Sequence, residues 1–302
     1  MGHCAGDREQ GRTMRESSGD RHIDNVAAAT DGEAEALERL VRGIQPELYR
    51  LAVRFFGDPR DAEDATQEAL VQVVTRLDRF NGESAFSTWV YRVATNKFLS
   101  LARSQGERRA LSLAEFDEEL SRVPSTPAEA TSAHVADRLL LEEVKIGCTL
   151  AMLLCLDRGH RMAYILGEIM ELDHATGAAI LDISAAAFRK RLQRSRTRIT
   201  DLMRARCGLI DRRNACRCRL RVPVAVERGC VDPHDLVFAS SKEQARQFPE
   251  VLREIRRLEE ADRAGALYRS HPDTRSTVDL ATFVHKLFDP GTSAATGSAP
   301  TR

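Results

Sequence analysis

The chain has 302 residues and equal numbers of basic and acidic side chains, 45 of each, so its net charge favours no class of partner. This length is enough for two or more small domains. Apolar runs such as Ala151–Leu156 are far too short to span a bilayer, and the first thirty residues lack the apolar core of a signal peptide, so we expect a cytoplasmic protein that contacts no membrane.

The first predicted elements follow a polar leader. Residues 1–30 are rich in Gly, Ser, Arg and Asp and are predicted to be disordered. Over residues 31–104, apolar side chains recur at helical spacing, which predicts a series of helices. Asp58 is placed to cap one of them, with a proline at its first position, and Asn81-Gly82 is placed to end it. A further helix is predicted over about 86–102.

A second helical block follows. Residues 105–137 contain an acidic stretch and a Pro-Ser-Thr-Pro run and are predicted to be a flexible linker. Helical spacing resumes over 138–206, with predicted helices at Leu139–Leu156 and Arg161–Ile169 and a helix-turn-helix from about Asp173. Because alternating runs of Val, Ile and Thr are scarce, the sequence predicts an all-α protein.

The most distinctive segment is Ser184–Arg198, which holds six basic residues and no acid. Phe188, Leu192 and Ile199 recur at helical spacing along it, so the segment is predicted to be an amphipathic recognition helix for the DNA major groove. The alternative is a solvated basic helix without a ligand. The stretch Asp58–Glu68 instead holds five acids and one base, and such segregated charge suits one face for protein and another for nucleic acid.

Residues 207–302 are predicted to be a mostly helical extension, with helices at about Lys242–Tyr268 and Thr277–Phe288. Isolated helices of this length are marginal in water. We therefore expect these helices to pack on each other or on the preceding helical modules of the same chain. An extension that contacts the modules could regulate them.

The beginning of the extension concentrates thiols and arginines, and its three closely spaced thiols are Cys207, Cys216 and Cys218. Three interpretations stay open: a basic connector whose cysteines have no role, redox-active thiols whose pKa the arginines lower, and a site for a soft metal ion. Cys148 and Cys155 are expected to be ordinary core residues.

Three segments together carry a family resemblance. Asp61–Glu68, Phe80–Asn96 and the basic helix after Ser184 resemble, in this order, the extracytoplasmic-function (ECF) branch of bacterial RNA polymerase sigma factors. The resemblance implies that residues 31–104 are sigma region 2 and that residues 138–206 are the helix-turn-helix of sigma region 4. It also implies an all-α fold.

The resemblance further implies roles for individual residues. Core RNA polymerase would be bound by Asp61, Asp64, Gln67 and Glu68. The minus-ten element, including the melted non-template strand, would be contacted by Asn81, Gly82, Glu83, Ser84, Arg92, Asn96, Lys97 and Arg103. The double-stranded minus-thirty-five element would be contacted by Ala185, Ala186, Arg189, Lys190, Arg191, Arg194 and Arg198. The sequence departs from the family pattern at Gly177, where an aliphatic residue is usual, and at Phe188, where valine is common.

We therefore predict a sigma factor that directs core RNA polymerase to specific promoters and helps to melt them, with no cofactor and no catalytic activity of its own. The alternative is a helix-turn-helix regulator that binds DNA without being a polymerase subunit. The segments Asp61–Glu68 and Phe80–Asn96 favour the sigma factor, because a simple regulator needs neither of them.

Overall fold

The computed structural model describes residues 25–104, 112–122, 135–239, 242–274, 276, 278–279 and 281–282. The predictions for residues 1–24, for most of the linker and for most of the helix at Thr277–Phe288 lie outside these residues. The described part is helical, and its only bridges between extended residues are two isolated ones, so the predicted all-α class is confirmed. No helix in the described ranges is long and apolar enough to cross a membrane.

The helices are numbered here in chain order. They are α1 (Ala34–Phe56), α2 (Pro59–Val74), α3 (Phe86–Ser104), α4 (Leu113–Ser121), α5 (Val135–Leu154), α6 (Arg158–Tyr164), α7 (His174–Leu181), α8 (Ala185–Arg206), α9 (Cys218–Glu227), α10 (Lys242–Arg257) and α11 (Glu260–Arg269). A 3₁₀ turn spans Leu77–Arg79, and a π-helical turn, Ile165–Ile169, extends α6.

The first three helices pack against one another around an apolar core. α1 ends at Gly57, whose φ of 72° is left-handed, and the Asp58 carboxylate then caps α2 by accepting hydrogen bonds from the backbone N–H groups of Arg60 and Asp61. The predicted start of α2 is thus confirmed. Phe55 of α1 stacks on Phe98 of α3, with 6.4 Å between the ring centroids.

The second helical block packs directly on the first. α7 lies against α3, and the buried Arg161 of α6 joins the two blocks. Its guanidinium donates to the backbone carbonyl of Phe55, at the end of α1, over 2.9 Å. It also donates to three carbonyls at the end of α5 and just after it, those of Leu153, Leu154 and Leu156. One side chain therefore satisfies carbonyl groups from both blocks.

Two predicted irregular segments are partly helical. Residues 25–30 form a helical turn, and Val26 is buried in the core, so the predicted leader is too long at its C-terminal end. Within the predicted linker, Ser112 and Glu115 form a reciprocal capping box that starts α4. Asp117 of α4 then pairs with Arg206, with 2.7 Å between Oδ1 and Nε. The predicted linker therefore contains a helix over Leu113–Ser121.

The extension also differs from its prediction. The single helix expected over Lys242–Tyr268 is divided into α10 and α11 by the two residues before Glu260. At the break, the Arg263 Nε donates to the Leu258 carbonyl over 3.1 Å and satisfies an acceptor that a continuous helix would have used. The division lets α10 pack on α5 while α11 packs on α8 and the π-helical turn.

Candidate functional site

The polar face of α2 consists of four residues that point away from the core. Asp61, Asp64 and Glu68 are exposed, and Gln67 is half-buried beside them. The opposite face of the helix is buried and consists of small and aliphatic side chains, namely Ala62, Ala65, Ala69, Leu70 and Val73. The four residues predicted to bind polymerase are therefore brought together on one accessible surface.

One ion pair links this face to α3. The Lys97 ammonium lies 2.5 Å from the Glu68 carboxylate. Glu68 was predicted to contact protein and Lys97 to contact DNA, and the structure brings these two residues together. The pair is partly exposed, so its contribution to stability is small.

The loop between α2 and α3 is open at its tip. Asn81, Gly82 and Glu83 are exposed and Ser84 is half-buried. The Asn81 side-chain oxygen accepts the backbone N–H of Glu83 over 3.2 Å, and Gly82 has a left-handed φ of 76° with no atom close to where a Cβ would stand. Such a tip leaves polar side chains and backbone free to meet a ligand.

Aromatic packing anchors this loop at its base. Phe80, Phe86 and Trp89 contact one another, with 5.2 to 5.9 Å between ring centroids. The buried Tyr91 donates its hydroxyl to Glu47 over 2.8 Å, which ties α3 to α1. These aromatic residues form the scaffold on which the loop is presented.

The remaining predicted residues of α3 differ in exposure. Asn96 and Arg103 are exposed. Arg92 is half-buried, and its Nε is buried without a hydrogen-bond partner among the described residues. A guanidinium in this state still has a donor to offer to an acceptor such as phosphate.

The helix-turn-helix geometry is formed by α7 and α8. Asp182 takes a left-handed φ of 52° at the end of α7, and the Ser184 hydroxyl then caps α8 by accepting the backbone N–H of Ala187 over 3.2 Å. The predicted DNA-contacting residues that are exposed are Ala185, Ala186, Arg189, Lys190, Arg194 and Arg198, whereas Arg191 is half-buried. These exposed cations form no ion pair within the described part of the chain.

Gly177 of α7 and Phe188 of α8 pack directly against each other. Phe188 is fully buried, and its ring lies where a side chain at position 177 would begin, only 2.3 Å from an ideal Cβ there. The large residue on α8 thus occupies the space left by the glycine on α7. The two departures from the family pattern are a compensating pair that lets the two helices approach closely.

The three closely spaced thiols of the extension are half-buried. Cys207, Cys216 and Cys218 lie around one small cavity together with Cys148 of α5, which was predicted to be ordinary core. Burial raises the pKa of the Cys207 thiol and raises that of Cys218 to about 12, despite the neighbouring cations. For Cys207 and Cys218, the pKa therefore does not follow the interpretation in which the arginines lower it, because desolvation exceeds the effect of the neighbouring cations.

The last described residues of the extension lie across α1 and α2. Gln45 donates its amide to the Val278 carbonyl over 3.0 Å and accepts the backbone N–H of Ala281 over 3.2 Å. The Ser276 hydroxyl donates to the Glu63 carboxylate over 3.1 Å. Further along, Arg42 and Arg50 lie 3.5 and 3.6 Å from the carboxylates of Asp279 and Asp273. We call the described residues of 273–282 the crossing segment.

Sequence reasoning missed these contacts, together with the hydrogen bonds of Arg161 and the position of Cys148 beside the thiols of the extension. Each joins residues that are far apart in the chain, and no local pattern announces such pairings. The capping box of α4 was different, because Ser112 followed by Glu115 is a recognisable start signal for a helix.

Comparison with known proteins identifies the family. Residues 40–108 match the sigma-70 region 2 family. The chain is 30% identical over 167 residues to the ECF RNA polymerase sigma factor SigE of Mycolicibacterium smegmatis, covering 55% of this chain and 61% of that protein. It is 31% identical over 183 residues to the RNA polymerase sigma factor CnrH of Cupriavidus metallidurans, covering 60% and 93%. It is 30% identical over 174 residues to the ECF RNA polymerase sigma-E factor of Escherichia coli K12, covering 58% and 90%.

The helical fold and the region 2 match together define an all-α protein built on a sigma-type module. Because the matches to two named sigma factors extend over nine-tenths of their length, the chain belongs to the ECF family of RNA polymerase sigma factors. The predicted family is confirmed.

Proposed function

We propose that the chain directs core RNA polymerase to specific promoters and helps to melt them. The observation that carries this proposal is the presence, in one chain of this family, of an exposed acidic face on α2 and a separate basic helix, α8. Four exposed cations of α8 have no ion-pair partner among the described residues, namely Arg189, Lys190, Arg194 and Arg198. One surface suits a protein and the other suits DNA. The protein acts in the cytoplasm and catalyses no reaction itself.

Core polymerase binds the polar face of α2 in this proposal. Asp61, Asp64, Gln67 and Glu68 supply acceptors on a rigid helix whose other side is packed into the core. The ion pair between Glu68 and Lys97 would open or rearrange when polymerase engages Glu68, which would release Lys97 toward DNA. Binding of the two partners would then be coupled through one exchanged contact.

Promoter DNA is bound at two places. The minus-ten element and the melted non-template strand meet the loop residues Asn81, Gly82, Glu83 and Ser84 and the helix residues Arg92, Asn96, Lys97 and Arg103. Residues 138–206 act as sigma region 4, with Arg189 and Lys190 reading bases in the minus-thirty-five element and Arg191, Arg194 and Arg198 gripping phosphates. Ala185 and Ala186 approach thymine methyl groups, because they offer no hydrogen bond.

We further propose that the extension restrains both modules. Its crossing segment contacts Gln45 and Glu63, and Glu63 is next to Asp64 on α2. α11 pairs with the other block, where Arg269 donates to the Glu168 carbonyl over 2.7 Å. An extension held at both places would keep the modules closed on each other and limit access of polymerase to α2.

A comparison of two charge-reversal variants tests whether the polar face of α2 binds polymerase. Asp64→Lys reverses one charge on the polar face and should weaken co-purification with core polymerase, while Asp78→Lys changes an exposed acid beyond the end of α2 and should not. Promoter-directed transcription in vitro should fall in the same order. A full-length chain that binds a promoter but fails to bind core polymerase would instead support the alternative, a helix-turn-helix regulator outside the polymerase.

A further inference from the structure

Four arginines of the extension lie near one another, beside the end of α8. Two of them are in the segment between α8 and α9, one is in the last turn of α10, and one is in α11. Burial lowers the pKa of the Arg256 guanidinium, and so does the positive charge of the three arginines within electrostatic range of it, namely Arg212, Arg217 and Arg263. We call these four residues the arginine cluster.

The turn that follows α8 brings two of these guanidinium groups together. Arg256 donates to the carbonyls of Gly208 and Leu209 over 3.4 and 3.2 Å. Arg217 donates to the Cys216 carbonyl over 3.0 Å. A Cβ at position 208 would stand 2.3 Å from Nη1 of Arg217, so the turn has room for this guanidinium only because the residue there is glycine. The two side chains are thus held against the same short piece of backbone.

The other two members of the arginine cluster differ in what holds them. Arg263 is half-buried and donates to the Ile210 carbonyl over 3.4 Å. Arg212 is exposed, and its guanidinium forms no hydrogen bond or ion pair with a described residue, whereas its carbonyl accepts a bond from Arg217 over 2.8 Å. A carbonyl carries no net charge, so these bonds fix the guanidinium groups in place without neutralising them. Each of them also keeps N–H donors in reserve, because a guanidinium has five.

The carboxylates next to the arginine cluster pair with other arginines. Asp211 lies 2.6 Å from Arg213, and Glu260 lies 2.7 Å from Arg204 of α8. Asp211 is also within electrostatic range of Arg263. Among the described residues, no carboxylate forms an ion pair with a member of the arginine cluster, so the cluster keeps an excess of positive charge. Guanidinium groups held near one another in this way suit an anion with several charges, and their planar shape matches phosphate.

The arginine cluster adjoins the basic surface of α8. Arg204 and Lys190 are both exposed, and because the residues between them make about four helical turns, the two side chains share one stripe of the helix. Arg204 is in turn tied to Glu260, the first residue of α11, which is the helix that carries Arg263. At about 1.5 Å per residue, the stripe from Lys190 to Arg204 is about 21 Å long. This length is shorter than one turn of B-DNA, which is about 34 Å.

We propose that the arginine cluster binds the phosphate backbone of promoter DNA beside the minus-thirty-five element, so that the extension adds a DNA contact to that of α8. This inference rests on the proposed binding of DNA by α8. Duplex DNA fits better than a free nucleotide, because only a long polyanion reaches the stripe of α8 and the arginine cluster together. Arg212 meets a phosphate directly, and the other three arginines supply positive potential behind it. A phosphate contact carries no sequence information, so it raises the affinity for all DNA sequences.

Salt-titrated DNA binding by the full-length chain tests the contact, with a mixed-sequence duplex of about 40 base pairs and fluorescence anisotropy between about 50 and 200 mM salt. Arg212→Ala should lower the slope of log affinity against log salt concentration by about 0.9, and the affinity at about 0.1 M salt by up to about eightfold. Arg212→Lys keeps the charge and should keep the slope. Arg253→Ala is the matched control, because it removes a charge from α10 at an arginine that already pairs with Glu250. Its slope should equal that of the unaltered chain.

Arg194→Ala in the same titration separates this inference from the assignment of α8. If Arg194→Ala lowers the slope and Arg212→Ala does not, DNA binding by α8 stands and the extension makes no phosphate contact. If Arg212→Ala alone lowers the slope, the contact of the extension stands and Arg194 has been misassigned. If neither variant changes the slope, both assignments are overturned.

A free nucleotide is the competing ligand for the same phosphate chemistry. ATP titrated into the full-length chain, followed by isothermal calorimetry, should bind weakly, and Arg212→Ala should change its affinity far less than it changes the affinity for the duplex. Tight binding of ATP that Arg212→Ala abolishes, together with an unchanged salt slope for the duplex, would overturn the proposal in favour of a nucleotide site.

Discussion

The packing of Gly177 against Phe188 leads to a quantitative prediction. In Gly177→Ala, the new methyl group would start 2.3 Å from the Phe188 ring, so the helices must move apart at an overpacking cost of about 1–3 kcal/mol. Because alanine has a higher helix propensity than glycine, the substitution also stabilises the helix by about 1 kcal/mol. The single variant should therefore be destabilised by about 0–2 kcal/mol. In a Phe188→Leu background, where the ring is gone, the same change should be stabilising by about 1 kcal/mol.

The coupling between the two substitutions is thus expected to be about 1–3 kcal/mol. Hydrogen exchange of peptides from α7 and α8 measures it, since local opening is read without assuming that the whole chain unfolds in one step. Gly147→Ala is the matched control, because nothing lies within 4 Å of its Cβ position on α5. It should stabilise α5 equally in both backgrounds. Additive effects of Gly177→Ala and Phe188→Leu would refute the packing argument.

Three further predictions concern α8 and the extension. Arg189→Ala should cost about 1–3 kcal/mol of DNA-binding free energy and relax the sequence preference at one base pair. Arg194→Ala should weaken binding to all DNA sequences alike and lower the slope of log affinity against log salt concentration by about one. Identical behaviour of the two variants in salt-titrated binding would show that the roles are misassigned. In Asp279→Lys, the new lysine should repel Arg42 and loosen the crossing segment. The affinity for core polymerase, measured by equilibrium pull-down, should then increase. An unchanged affinity would argue against restraint by the extension. Burial, Lys145 and Arg54 lower the pKa of His271 in the folded chain, so the unfolded chain binds a proton there more readily. Stability should therefore fall as the pH drops below about 6.5. Thermal melts of His271→Gln should show a melting temperature that depends less on pH.

Local signals in the sequence predicted much of the helical order. The cap at Asp58 with its following proline identified the start of α2, and apolar spacing identified the buried faces of α2 and α8, with Phe188 and Leu192 among the buried residues. These features depend on neighbours within a turn or two of helix. The four polar residues of α2 were instead assigned through the family resemblance, and the structure places them together on one face.

What the sequence could not predict depends on contacts between distant residues. Cys148 was expected to be an ordinary core residue because an apolar stripe surrounds it. No residue near Cys148 in the sequence indicates that it lies close to Cys207. The sequence left the effect on the thiol pKa values open, because nearby arginines are visible in a sequence whereas burial is not. The domain boundaries and the residue roles in polymerase and DNA binding stay predictions.

Arg161 has a consequence for partners that never touch it. Its hydrogen bond to the Phe55 carbonyl crosses between the two helical blocks, and a charged hydrogen bond of this kind contributes about 1.5–3 kcal/mol. A partner that separates the blocks must supply this free energy, so its apparent affinity falls by roughly ten- to more than a hundredfold. The strength with which this protein competes for a shared partner can therefore be set by one buried guanidinium, with every residue of the binding surfaces left unchanged.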